Sequence, residues 1–236
     1  MTKLACVRSS LCGYLNRESQ ERAQLRATLN SISEGVPETV IFGGMLREFG
    51  WGHARRFSSD IDLVSMASRS DIYAAIRNFS PTSNKFGGFR FIAGRRLFDI
   101  WALEDTWAFR ERLVSGAGFK ALFNTTFFGV DAATFHLRTK RYEFSAAHLS
   151  GLRDRVLELN LRENASPQKM IRRAIRIAIN GEVAIGPLLA DYIVEHYRWD
   201  NTPTTQNSFV RALEEHVFVG TGESFRFQPQ MAVISP

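Results

Sequence analysis

Hydrophobic positions along the chain change period several times, and each change predicts an element. Between residues 16 and 33 ("NRESQERAQLRATLNSIS"), Leu25, Leu29 and Ile32 recur at helical spacing among polar neighbours. "EGVPE" breaks that helix, and "TVIFGG" reads as a short β-branched and aromatic strand running into Gly43 and Gly44. "MLREFGW" predicts a helical turn or two, "GHARRFSS" a loop and "DIDLVSM" a second strand. "SRSDIYAAIRNFS" opens with capping residues and continues with Ile72, Ala75, Ile76 and Phe79 at helical spacing. In "FGGFRFIAGRRLFDIWAL", Phe89, Phe91 and Ile92 precede a Gly-Arg turn and residues 97 to 103 return, the pattern of a hairpin.

Beyond the hairpin the spacing turns helical, over about 104–115, 130–136, 145–158, 166–180 and 185–197, with a last helix near 206–217. These elements predict an α+β fold, with a mixed sheet flanked by helices up to about residue 135 and a mostly helical part from 136 to 236. No internal repeat or low-complexity tract interrupts the order.

Composition narrows the class. With 44% hydrophobic and 23% charged residues over 236 positions, the chain can bury one large core or two small ones. No run approaches the ~20 apolar residues of a membrane span. The opening "MTKLACVRSSLCGYLNRES" lacks the continuous apolar stretch of a signal peptide. Cys6 and Cys12 have no companion cluster of Cys or His, which speaks against a disulfide framework or a zinc site. A reducing, cytoplasmic setting is the expectation, with no membrane partner.

Charge adds a second feature. Between Arg138 and Arg176 ten Lys or Arg stand against four Asp or Glu, an excess equal to the whole net charge of +6. A basic block beside an acidic site suits a polyanion; the same block also suits a solvated helix face.

The candidate chemistry lies in "RFSSDIDLVS". Residues i and i+2 of a strand share a face, so Asp60 and Asp62 sit side by side while Ile61 and Leu63 face a core. Two carboxylates that close raise each other's pKa unless a cation lies between them. Either a metal belongs there or the pair sits at a wet strand end. Asp99, flanked by Leu97, Phe98, Ile100 and Trp101, is an acid in an apolar strand, costly to bury unless paired or metal-bound. Gly43 and Gly44, between a strand and a helix, allow backbone N–H groups to approach phosphate. Three carboxylates on adjacent strands beside a glycine turn suit two Mg²⁺ ions and a triphosphate.

Taken together, "VIFGGMLREFGWG…SSDIDLV" resembles the head of the polymerase-β-like nucleotidyltransferase superfamily. Within it the likeness is nearest to poly(A) polymerases and CCA-adding tRNA nucleotidyltransferases, whose pattern is GG-x-V-R-D before D-I-D-L. "LFNTTFFGVDAATFHL" and "SPQKMIRRAIRIAIN" are similar to later segments of that class, so the resemblance covers about residues 38 to 180. It implies a nucleotidyltransferase-type mixed sheet and a head domain over 1–135. A neck-like region over 136–236 would bind nucleotide and acceptor.

The resemblance further implies that Asp60, Asp62 and Asp99 are the catalytic and metal-binding acids, with Asp99 facing the attacking hydroxyl. Gly43, Gly44, Arg47, Arg173 and Arg176 would bind the nucleotide, and Arg172 competes with Arg173 for its place. The implied reaction is transfer of NMP from an NTP, with release of pyrophosphate, to an RNA 3′ end, tRNA foremost. An acceptor that is a small molecule or protein is the alternative, as in antibiotic-modifying or toxin-type enzymes. A non-catalytic RNA-binding descendant is the third reading.

Departures from the pattern are visible. Glu48 stands for the Asp after Arg47, "LFNTTF" has lost an Arg-Arg-Asp, and Ser166 stands where an Asp is usual. Asn124, Thr125 and Thr126 occupy part of the altered segment. Lesser candidates are His53, Arg55 and Arg56 in the loop before Asp60, and the aromatics Trp101, Trp107, Phe127 and Phe128, either base-stacking or core. His136, His148 and His196 share no spacing and read as surface or core histidines.

Overall fold

The computed structural model describes residues 3–84, 86–181, 183–200 and 204–228. Two helices open the chain, α1 (Lys3–Asn16) and α2 (Gln20–Gly35). In α1, a helix not expected from the sequence, Val7, Leu11, Tyr14 and Leu15 fall at i, i+4, i+7 and i+8 and are buried. The Ser19 side chain accepts the Arg22 N–H at 3.2 Å to start α2, which buries Leu25, Leu29 and Ile32 as their spacing predicts.

The expected strand and turn follow as β1 (Thr39–Phe42) and α3 (Gly44–Gly50), then β2 (Ile61–Ser65) and α4 (Arg69–Ile76). A two-residue strand, β3 (Thr82–Ser83), leads to the predicted hairpin of β4 (Phe89–Ala93) and β5 (Arg96–Ala102). Its turn residues Gly94 and Arg95 have φ of 55° and 64°. Positive φ at both positions matches the right-handed twist of the flanking strands.

Two expected helices differ. Over 104–115 the chain makes a 3-10 turn (Leu103–Asp105) and the short α5 (Trp107–Arg110). Over 130–136 a 3-10 turn (Gly129–Asp131) gives way to a strand, β6 (Ala133–His136), which pairs with β1 and with β7 (Tyr142–Phe144). The apolar run "GVDAATF" fits either period locally. The unpaired side of β1 decides it, because an exposed ladder beside a buried strand would leave backbone groups unsatisfied.

The sheet therefore has seven strands in the order β3-β4-β5-β2-β1-β6-β7, antiparallel except for the parallel pair β2 and β5. Register sorts its residues into rows. One row, Phe89–Ile100–Leu63–Ile41–Phe135, is buried under α1 to α4. The next row, on the opposite face, reads Arg90–Asp99–Asp62–Phe42–Thr134. The charged positions thus lie on the face that the main core does not use. Part of that face is closed by residues 103–124, where Leu103 and Leu122 join Val40 and Val64 in a small second core.

The chain then becomes helical, with α6 (Ala146–Asp154), α7 (Pro167–Gly181), α8 (Pro187–His196) and α9 (Thr205–Val219), the expected elements. β8 (Val156–Leu157) and β9 (Ala184–Ile185) form a separate parallel pair. Ile171, Ala174, Ile175 and Ala178 make the buried stripe of α7, leaving Lys169, Arg172 and Arg176 exposed and Arg173 half-buried. The overall class is α+β, a mixed sheet with flanking helices followed by a mostly helical region. No helix among the described residues is long and apolar enough to cross a membrane.

Candidate active site

Parallel pairing of β2 with β5 sets Asp62 directly opposite Asp99. Asp60, one residue before β2, shares their face by strand alternation. Carboxylate oxygens of Asp60, Asp62 and Asp99 all lie within 4.8 Å of one another. Asp99 is buried, while Asp60 and Asp62 are half-buried. Burial first, and then the charge of Asp60, pushes the Asp62 carboxyl up to about 7; Asp99 and Asp131 add to the rise and Arg173 opposes it. A cluster of this kind is short of positive charge. Oxygen donors grouped so closely are the ligand set that hard divalent cations take, so the residues fit a metal site.

The glycine turn completes one side. Gly43 has φ of 74°, a conformation that favours glycine, and a Cβ there would stand 3.8 Å from Asp62 Oδ2. At Gly44 a Cβ would meet Arg173 Nη2 at 3.0 Å and Arg47 Nη2 at 3.4 Å. The missing side chain makes room for two guanidinium groups. Arg47 itself is buried: its Nη1 donates to Asp131 at 2.6 Å and its Nη2 to Glu48 at 3.0 Å. Glu48 in turn pairs with His53 Nδ1 at 3.0 Å. Arg47 therefore braces the turn from below.

These groups open into a cavity of about 340 Å³, lined in part by Gly43, Gly44, Asp62, Trp101, Lys169 and Arg173. That is within the size range of small-ligand sites. The cavity carries the cations Lys169 and Arg173 of α7 and the carboxylates of Asp62 on β2 and Asp131, a lining that would suit a polyphosphate with its metals.

The structure thus brings Asp60, Asp62, Asp99, Gly43, Gly44 and Arg173 together. Arg176 and Arg172 are exposed on α7 and do not line the cavity. Thr125, Thr126, Trp107 and Phe127 line it, whereas Phe128 is fully buried core. Arg55 and Arg56 lie in a 3-10 turn, Ala54–Arg56. His136 contacts Glu38 at 3.3 Å, His148 is buried, and His196 stacks on Tyr192 with ring centroids 4.3 Å apart.

Sequence reasoning missed Arg90, Asp131 and Lys169. Arg90 Nε donates to Asp99 Oδ1 at 2.9 Å and its Nη2 to Oδ2 at 2.5 Å. The hairpin carried the signal, since a two-residue turn at Gly94 and Arg95 pairs position 90 with 99. Lys169 had one too, four residues before Arg173 on the same helix. Asp131 had none, being 84 residues from Arg47.

This mixed sheet with flanking helices is an α+β arrangement shared with proteins of known structure. No protein-family model matches the chain, and no curated protein matches it. Solved structures do. Over 91% of this chain, and 50% of the other, it is similar to a Thermotoga maritima CCA-adding enzyme complexed with tRNA, with TM-score 0.57 and 16% identity. A Bacillus stearothermophilus CCA-adding enzyme in complex with CTP shares 14% identity at TM-score 0.53, over 76% of this chain and 44% of that one. A tRNA-processing enzyme in apo form gives TM-score 0.53 and 16% identity, over 76% and 47%. The chain spans about half the length of these structures. At such identities the likeness establishes the fold alone.

Proposed function

We propose that the protein is a metal-dependent nucleotidyltransferase that moves NMP from an NTP to an acceptor hydroxyl and releases pyrophosphate. The acceptor we assign is an RNA 3′ end, with tRNA the first choice. One observation carries the reading: three carboxylates have oxygens within 4.8 Å of one another, and one of them, Asp62, lines a cavity together with Lys169 and Arg173. The folds of the CCA-adding enzymes, solved with CTP and with tRNA, support the acceptor class.

In this reading Asp60, Asp62 and Asp99 hold divalent cations, Mg²⁺ in the cell and two in number. When bound, these supply the Lewis acidity that activates the hydroxyl and neutralises the leaving pyrophosphate. Gly43 and Gly44 let the phosphates approach the backbone closely. Lys169 and Arg173 bind the triphosphate, with Arg176 one turn further out to meet the nucleotide or acceptor. Arg47 acts through the turn it braces. Asp99 orients the acceptor hydroxyl. Residues 1–135 form the catalytic part, and 136–236 the region that grips nucleotide and acceptor.

The test is incubation with Mg²⁺, each α-labelled NTP in turn and total cellular RNA, followed by a denaturing gel. An Asp60→Ala/Asp62→Ala double variant is the blank. Label in tRNA-sized bands that vanishes in the blank is the expected result, and the labelled NTP reveals base choice. Binding of Mg²⁺–NTP without RNA labelling transfers the assignment to a small-molecule or protein acceptor. Full labelling by the double variant overturns the site.

A further inference from the structure

We propose that Arg90 is the built-in counter-ion of the carboxylate site: it holds Asp99 in position in the cation-free protein and gives that ligand up to an entering divalent cation. It thereby sets the cation concentration at which the site fills. The inference rests on the metal-binding reading above and adds a positioning residue to it.

Geometry singles out Arg90. Its guanidinium makes a two-pronged contact with Asp99, Nε to Oδ1 at 2.9 Å and Nη2 to Oδ2 at 2.5 Å. Both oxygens of the third acid are thus engaged by one fork, the strongest geometry an arginine offers a carboxylate. Among the described residues the other two acids have no such fork: Asp60 accepts a hydrogen bond from the Ser59 hydroxyl at 2.6 Å, and Asp62 feels Arg173 and Arg90 only through their charge. The fork is fixed by strand register, since Arg90 on β4 lies opposite Asp99 on β5, which lies opposite Asp62 on β2. A guanidinium and a divalent cation then contend for the same two oxygens.

The two partners are unequally placed. The Asp99 side chain is 3% exposed and the Arg90 side chain 49%. Arg90 can swing into water and be solvated there, whereas Asp99 cannot follow and must keep a cation beside it. The pair is therefore built to be exchanged from one side. An ion pair serving only to staple the hairpin would gain nothing from placing its acid within a three-carboxylate cluster.

The experiment measures Mn²⁺ binding by electron paramagnetic resonance of the free ion, with no nucleotide present. It compares the wild type, Arg90→Gln, Arg90→Lys and an Asp62→Asn blank. Arg90→Gln is expected to bind Mn²⁺ at least about tenfold more tightly than the wild type, with Arg90→Lys between them. Its melting temperature in EDTA should fall and be restored by Mn²⁺. In ¹⁵N spectra of the wild type, the Arg90 Nε–H resonance should move to a solvent-exposed position on titration with Mg²⁺. If Arg90→Gln binds Mn²⁺ no better than a wild type whose binding is lost in Asp62→Asn, the role of Arg90 is overturned and the metal site stands. If neither wild type nor Arg90→Gln binds more Mn²⁺ than the blank, both are overturned.

Discussion

Two groups of ionised side chains lie within one fold and obey opposite rules. Around Arg47 every charged group has a hydrogen-bonded partner: the guanidinium donates to Asp131 and Glu48, and Glu48 also meets His53. Around Asp62 the charges do not balance, for three carboxylates crowd together against two guanidinium groups, Arg90 paired with Asp99 and Arg173 near Asp62. Burial makes both groups sensitive, since a low dielectric strengthens pairing and repulsion alike. The matched group is what a fold needs to hold a turn in place. The mismatched one carries a repulsion that a proton on Asp62 or a bound cation relieves, and it is this that the proposed metal site would use.

Breaking the mismatched group should cost activity and not the fold. Asp62→Asn is expected to lower NMP transfer by at least about 10³-fold, because metal-borne charge stabilisation is worth several kcal/mol and each 1.36 kcal/mol is tenfold in rate. Its melting temperature in EDTA should equal or exceed that of the wild type, since one repelling charge is gone. Single-turnover rates and calorimetry check both halves.

The matched group should respond in reverse. Arg47→Met leaves Asp131 buried without its partner and is expected to cost about 3–5 kcal/mol in denaturant unfolding. The double variant Arg47→Met/Asp131→Leu should recover most of that loss. A double variant as unstable as the single one would show that the pair is not the relevant unit.

Titration sharpens the contrast. The Asp62 carboxyl sits near 7 in the folded protein against 3.8 unfolded. Between those values the folded state holds the extra proton, so the contribution of Asp62 to metal-free stability is fully present below about pH 4 and is lost as pH rises through 7. Saturating Mg²⁺ should cancel this decline, because it binds the ionised form and stabilises the folded state by mass action. Melting curves from pH 5 to 8, with EDTA or with Mg²⁺, measure the effect.

The smallest effect belongs beside the matched group. His148 is buried, with Nδ1 donating to the Val130 carbonyl at 2.5 Å and Nε2 accepting from the Tyr142 hydroxyl. Burial lowers its pKa, so the folded protein keeps the neutral ring while the unfolded chain takes up a proton below about 6.5. This contribution is present above that pH and lost as pH falls, with a slope of at most about 1.4 kcal/mol per pH unit. Measured in the Asp62→Asn background, where the opposing carboxyl is silent, the slope should flatten on adding His148→Gln.

How much of this was legible beforehand follows from the range of each signal. Strand alternation placed Asp60 and Asp62 on one face and Ile61 and Leu63 on the other, and both apolar residues are fully buried. Helical spacing found α2, α4 and α7 to α9. The hairpin followed from its Gly-Arg turn. In contrast, "GVDAATF" was misread as helix, because its seven residues satisfy either period and only the free ladder of β1 selects a strand.

By itself, then, the sequence determined the local periodicities, the glycine turn and the three candidate acids. Tertiary structure decided which of them meet. The parallel pairing of β2 with β5 joined Asp62 to Asp99, the packing of α7 brought Arg173 against Gly44, and Arg47 found Asp131 across 84 residues. The division has a physical cause. Side-chain alternation is set by bond geometry within a few residues, whereas strand order depends on burial and backbone pairing summed over the whole chain.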